Sequence, residues 1–227
     1  MPRITLIHAT ALAIDPIREA FTRLWPEART TNLLEDSLSE DLAASGQLDA
    51  AMIHRFETLA RYAESSDADA ILFTCSAFGE AIEAAATCVR IPVLKPNEAM
   101  LEEALTAGTR IGIVATFQPT IPSMVEELQA LAAARGKSVE ILARHAAGAM
   151  AALAAGKSED HDRMIAASLS DLADCDAVLL AQFSMARAAK RARLTLDRPV
   201  LTSPDSAVHK LRKILDCLAS RRNRCLP

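Results

Sequence analysis

Aromatic side chains are scarce in this chain. Its 227 residues include one Trp, one Tyr and six Phe, 4% in all, while hydrophobic residues of every kind make up 51%. A core drawn from that composition must be aliphatic and Ala-rich, which suits helices packed on a sheet. Paired cysteines are missing too. The five cysteines, at 75, 88, 175, 217 and 225, form no CxxC pair and no zinc-type spacing. An odd, scattered set implies reduced thiols in a cytoplasm and no metal. Positive charge is not in excess. The net charge of −4 argues against a general nucleic-acid partner. The basic end "RRNRCLP" reads as a solvated helix terminus, and Cys225, third from the end, is no prenylation box. No run approaches the ~18 apolar residues of a membrane helix. The start "MPRITLIHAT" lacks the apolar region of a signal peptide. The expectation is a cytoplasmic protein with no membrane contact.

What the chain does have is alternation. "ITLIHA" (4–9), "AILFT" (70–74), "IPVL" (91–94), "IGIVAT" (111–116), "VEILA" (139–143), "AVLLA" (177–181) and "RPVL" (198–201) are apolar throughout. Parallel strands covered on both faces read this way. Between them, 15–25, 49–65, 121–136 and 159–174 carry apolar residues at spacings of three and four, the pattern of amphipathic helices. Strands alternating with helices predict an α/β fold with parallel sheets.

The pattern is also written twice. Arg3-Ile4 recurs as Arg110-Ile111, Asp69-Ala70 as Asp176-Ala177, and Pro92-Val93-Leu94 as Pro199-Val200-Leu201. The offset is the same in all three blocks, and no gap is needed. Three separated blocks in one frame predict two similar α/β units related by a pseudo-two-fold, their sheets facing a central cleft. The first unit is expected over 1–97, with a C-terminal helix at 204–227 packing back on it, and the second over 98–203.

In open α/β units ligands sit beyond the carboxyl ends of the strands. Those ends carry His8 and Thr10, Cys75 and Ser76, Thr116 and Thr120, and Gln182 and Ser184. Cys75 lies where a strand ends and a helix begins, so the helix dipole favours its thiolate, a base or nucleophile. A small buried hydrophobe is the alternative role. Thr116 and Thr120 flank a strand-to-helix turn that can seat a carboxylate or phosphate, and Thr120 can cap the helix. His8 reads as a structural hydrogen-bonder. Asn32, Glu35 and Asp36 fall in a loop after the first helix, either as a lid or as solvated groups. His145 is ambiguous. His54, His161 and His209 read as helix-surface residues.

"FTCSAFG", "GIVATFQPT" and "AVLLAQFSM", set in duplicated α/β halves, resemble the aspartate/glutamate/hydantoin racemase superfamily over nearly the whole chain. That superfamily also includes maleate isomerases and arylmalonate decarboxylases. The resemblance implies a cofactor-independent enzyme acting at the carbon alpha to a carboxylate of a small substrate. Cys75 then matches the first-half cysteine, and Ser76 a carboxylate-binding hydroxyl. Thr116 and Thr120 match the second-half carboxylate-binding threonines. His8, Thr10, Asn32 and Ser184 complete the expected substrate-binding set. The second-half cysteine is replaced. The residue that repeats the position of Cys75 is Gln182. Gln can donate and accept hydrogen bonds but cannot shuttle a proton at neutral pH. One-cysteine isomerisation or decarboxylation is the enzymatic alternative to racemisation, and a non-catalytic carboxylate-binding protein of the same fold is the other. The sequence leaves room for a homo-oligomer.

Overall fold

The computed structural model describes residues 1–224, with side chains described through Arg221. Cys225 and most of the basic tail lie outside the described side chains. The chain divides into two compact units, one formed by residues 1–96 with the stretch from Ala207 onward, the other by Asn97–Ser206.

The first unit is a four-stranded, all-parallel sheet of β1 (Arg3–His8), β2 (Arg29–Leu34), β3 (Ala70–Phe73) and β4 (Val93–Leu94), in the order β2-β1-β3-β4. Its crossovers are helical: α1 (Ile14–Leu24), then α2 (Ser37–Ser45) with α3 (Ala50–Ser65), then α4 (Gly79–Thr87). The second unit, also parallel, opens on α5 (Glu98–Ala107). It holds β5 (Arg110–Ala115), β6 (Glu140–His145), β7 (Ala177–Leu180) and β8 (Val200–Thr202) in the order β6-β5-β7-β8. Its remaining helices are α6 (Thr120–Ala134), α7 (Ala149–Ala154), α8 (Ser158–Ala167) and α9 (Ala189–Thr195), and α10 (Ser203–Arg224) ends the described chain. The central strands β3 and β7 are buried at every residue, as their continuous apolar runs require. Among the described residues no helix is long and apolar enough to cross a membrane.

The repeat is structural. β1 and β3 begin at Arg3 and Ala70, and β5 and β7 begin at their repeat mates Arg110 and Ala177. The gapless register fails at one place. β2 begins at Arg29, whose repeat mate is Gly136, yet β6 begins only at Glu140. That delay matches the greater length of α6, 15 residues against 11 in α1. β2 carries no apolar run and is absent from the strands that such runs predict. Its sequence, RTTNLL, forms an edge strand in which no residue is buried. The helix expected over 159–174 stops at Ala167 and resumes only as a short 3-10 turn at Ser170–Leu172.

Each unit is clamped at the amino end of its first strand. The Arg3 N–H donates to Asp69 Oδ2 at 2.8 Å. In the second unit the N–H groups of Thr109 and Arg110 donate to Asp176 Oδ2 at 2.8 and 2.9 Å, and these bonds hold the Asp176 carboxyl below the usual range. The carboxylate lies over Gly108, where a Cβ would stand 2.1 Å from it, so only glycine fits. The scarce aromatics are concentrated in the first unit. Phe56 stacks on Phe73 at 5.2 Å and meets Phe78 at 4.9 Å, and Cys75 packs against the same cluster. Phe56→Ala should therefore lower the unfolding free energy by about 3–5 kcal/mol in urea titration, the cost of an aromatic-sized core cavity.

Candidate active site

The two strand ends share one backbone device. Parallel pairing continues one bond past the sheet: Thr74 N–H donates to the Ile7 carbonyl at 3.0 Å, and Ala181 N–H to the Val114 carbonyl at 2.9 Å. The next residues, Cys75 (φ −122°, ψ 123°) and Gln182 (φ −119°, ψ 149°), are extended, and each precedes a 3-10 turn. Equivalent backbones thus present a thiol in one unit and an amide in the other.

In the first unit the strand end is a buried polar network. His8 is fully buried. Its Nε2 lies 3.0 Å from Asn32 Oδ1 and its Nδ1 2.8 Å from Thr74 Oγ1. The Asn32 oxygen can only accept, so Nε2 carries the hydrogen and the neutral ring accepts from the Thr74 hydroxyl at Nδ1. Burial pushes the His8 imidazole below its ordinary value, against a smaller opposing pull from Asn32. Both ring nitrogens of His8 are therefore engaged within the chain. Asn32 lies on strand β2, paired with Leu6 of β1, and not in a loop. Glu35 is no loose lid either: Arg55 holds it at 3.0 Å and the Ser37 hydroxyl at 2.7 Å, and these contacts keep its carboxyl below the usual range.

Cys75 is half-buried beside this network. With Ile7, His8, Ala9, Leu38, Phe56 and Phe73 it lines a crevice too narrow for a water molecule. Burial pushes its thiol up, and the Ala77 N–H offsets this only in part. Burial therefore works against the thiolate that a helix start would favour, in the direction of the alternative role as a small buried group. Ser76 follows it and is exposed. Thr10 caps a short 3-10 turn after β1, its hydroxyl accepting from Leu12 N–H at 3.4 Å.

The second unit organises its strand end around Thr116. The Thr116 N–H donates to Gln182 Oε1 at 3.0 Å and its hydroxyl does so at 3.3 Å. His145 Nε2–H donates to the Thr116 carbonyl at 3.3 Å. Thr116, expected as a free carboxylate seat, is buried with its donors taken up by Gln182. The Gln182 Nε2 is buried and has no partner. Such a donor costs about 1–3 kcal/mol where nothing satisfies it. Thr120 opens α6 without making a side-chain cap and stands apart from these bonds. Among the described residues, the hydroxyls of Ser76, Thr120 and Ser184 form no hydrogen bond within the chain.

Strand register relates the two ends residue by residue. His8, Asn32 and Thr74 correspond to Ala115, Ala143 and Ala181, so the second unit has no counterpart of the histidine network. His161, read from sequence as a surface residue, is instead fully buried. Its Nδ1 lies 2.8 Å from Asp162 Oδ1, which also accepts from Arg187 Nε at 3.0 Å. It occupies the repeat position of His54, which is exposed. That shared register is the one signal in the sequence that singles it out. Among the described residues no three His, Cys, Asp or Glu side chains are grouped to hold a metal ion.

Residues 7–211 match the family model of Asp/Glu/Hydantoin racemase, and the chain belongs to that family. Solved structures of similar fold include allantoin racemase from Klebsiella pneumoniae (20% identity, 96% of this chain and 89% of that one, TM-score 0.66). An aspartate racemase homologue from Pyrococcus horikoshii OT3 is 14% identical over 94% of this chain and 99% of its own, with TM-score 0.69. Unliganded arylmalonate decarboxylase is 15% identical, over 94% and 92%, with TM-score 0.62. No curated protein sequence matches the chain.

The His8 network makes a pH prediction. The folded pKa lies below the unfolded value of about 6.5, so its stability contribution is complete above that pH and declines as pH falls toward the folded pKa. Between pH 6.5 and 5, wild type should lose up to about 1.4 kcal/mol per pH unit relative to His8→Gln. Urea titrations of both proteins across that range measure the difference, and parallel pH profiles would show that His8 does not contribute it.

Proposed function

We propose that this chain is a cofactor-independent enzyme of the isomerase type, acting at the carbon alpha to a carboxylate of a small substrate, with Cys75 as its one proton-transferring thiol. Family membership supports the reaction class. The observation that carries the one-thiol reading is the equivalence of Cys75 and Gln182 at matching strand ends. An amide cannot take up or release a proton at neutral pH, so proton transfer runs through one group. Deprotonation alpha to a carboxylate generates an enediolate, and N–H donors lower its energy. Ser76, which follows Cys75 and whose hydroxyl is not engaged within the chain, serves as a carboxylate ligand in this reading.

One observation favours a second reaction within the same chemistry. Burial pushes the Cys75 thiol up, which suits an acid better than a resting base. In a decarboxylation the C–C bond to one carboxylate breaks and CO2 leaves with its carbon. The electron pair stays as an enediolate, whose alpha carbon takes the Cys75 proton. The resulting thiolate is then reprotonated by water.

The test uses D2O and proton NMR with both enantiomers of aspartate and glutamate, and with malonate and phenylmalonate. Wild type should place deuterium in one enantiomer only, or release CO2 from malonate or phenylmalonate and place deuterium at the alpha carbon of the product. Cys75→Ser should reduce turnover by at least about 100-fold, the usual contribution of a positioned acid or base. Efficient racemisation by the wild type, or full activity in Cys75→Ser, would sink the one-thiol reading.

A further inference from the structure

We propose that Gln182 is a fixed hydrogen-bond donor for a carboxylate or enediolate oxygen, and that Thr116 is the residue that positions it. The assignment rests on the reading above for its substrate class and goes beyond it in giving both residues roles. A backbone N–H can only donate, so the Gln182 atom 3.0 Å from the Thr116 nitrogen must be the amide oxygen. The Thr116 hydroxyl donates to the same oxygen at 3.3 Å. Two donors on one oxygen fix the amide plane, and the two N–H groups of Nε2 then point away from Thr116.

Those N–H groups are buried and without a partner. Among the described residues three other buried side-chain atoms are unpartnered, and two of them, Arg3 Nε and Arg110 Nε, are repeat mates at the amino ends of β1 and β5. A feature present in both units belongs to the scaffold. The third, His161 Nε2, lies on α8. Of the four, the Gln182 donor alone stands just past the carboxyl end of a central strand. Its repeat mate Cys75 has no such orienting partner, because Ala9 occupies the position equivalent to Thr116. His145 completes the arrangement by holding the Thr116 carbonyl at 3.3 Å, which restrains the chain around the positioning N–H.

A neutral donor in a water-poor setting suits an oxygen that carries or develops negative charge, since it adds attraction without competing for the proton. The Gln182 amide therefore selects for a carboxylate or enediolate oxygen. Thr116 acts through it and does not itself bind the ligand.

The chain has four glutamines, at 47, 118, 129 and 182. Selective 15N-glutamine labelling gives four side-chain amide pairs, and Gln182→Glu identifies the pair of interest by its loss. Titration with acetate and malonate to 50 mM, with chloride as control, should shift the Gln182 pair and leave the other three in place. Thr116→Val should move that pair toward free-amide values and weaken the carboxylate response about tenfold. Thr116→Ser, which keeps the hydroxyl, should restore both. Unchanged Gln47, Gln118 and Gln129 signals certify folding of each variant, and Gln182→Met serves as the second identifying variant if Gln182→Glu does not fold. No shift of the Gln182 pair with either carboxylate overturns the donor role. An unaltered response in Thr116→Val overturns the positioning role. Carboxylate shifts at Gln182 without any Cys75-dependent deuterium exchange would refute the enzymatic reading while leaving the anchor intact.

Discussion

The hydrogen bonds from Thr74 to Ile7 and from Ala181 to Val114 carry the design of both candidate ends. A parallel ladder fixes the direction in which a strand leaves its sheet. Extending it by one bond delivers the following residue in extended conformation, just before the chain turns. Cys75 and Gln182 owe their similar backbones to that extra rung. The apolar burial of β3 and β7 keeps the rungs in place, because a slipped strand would expose its continuous hydrophobic run. Position at the strand ends thus follows from core packing.

The electrostatic character of the two ends is also a packing outcome. Burial pushes the His8 imidazole down and the Cys75 thiol up, in each case toward the uncharged form. The groups gathered at Thr116 and Gln182 are hydroxyl, amide and peptide. Hydrogen bonds to an ion are roughly twice as strong as those between neutral groups. Preorganised neutral donors therefore attract an anion more strongly than a neutral group.

The legibility of this arrangement in sequence follows burial. β1, β3, β5 and β7 are readable because strands covered on both faces must be apolar, and the repeat is readable because the amino-end clamps recur in one frame. RTTNLL is not readable as a strand, since an edge strand satisfies solvent and sheet with the same residues. Without that strand Asn32 falls in a loop, and its bond to His8 is hidden. The replacement of a thiol by Gln182 is visible in the repeat. Which amide atom faces Thr116 is not, because that choice is made by a 3.0 Å contact between side chain and backbone far apart in the chain. The choice between thiolate and buried group at Cys75 stays open in sequence for a related reason. The start of a turn is local and legible, whereas the aromatic packing that desolvates the thiol comes from Phe56, well upstream on another helix.

The alanines that replace His8, Asn32 and Thr74 in the second unit have a consequence beyond packing. The amino ends of the two sheets still do the same job in the same way, with an aspartate clamping a strand. The carboxyl ends do not: one presents a thiol beside a histidine network, the other an amide held by a threonine. One end of each sheet conserves its construction while the opposite end is free to change its chemistry.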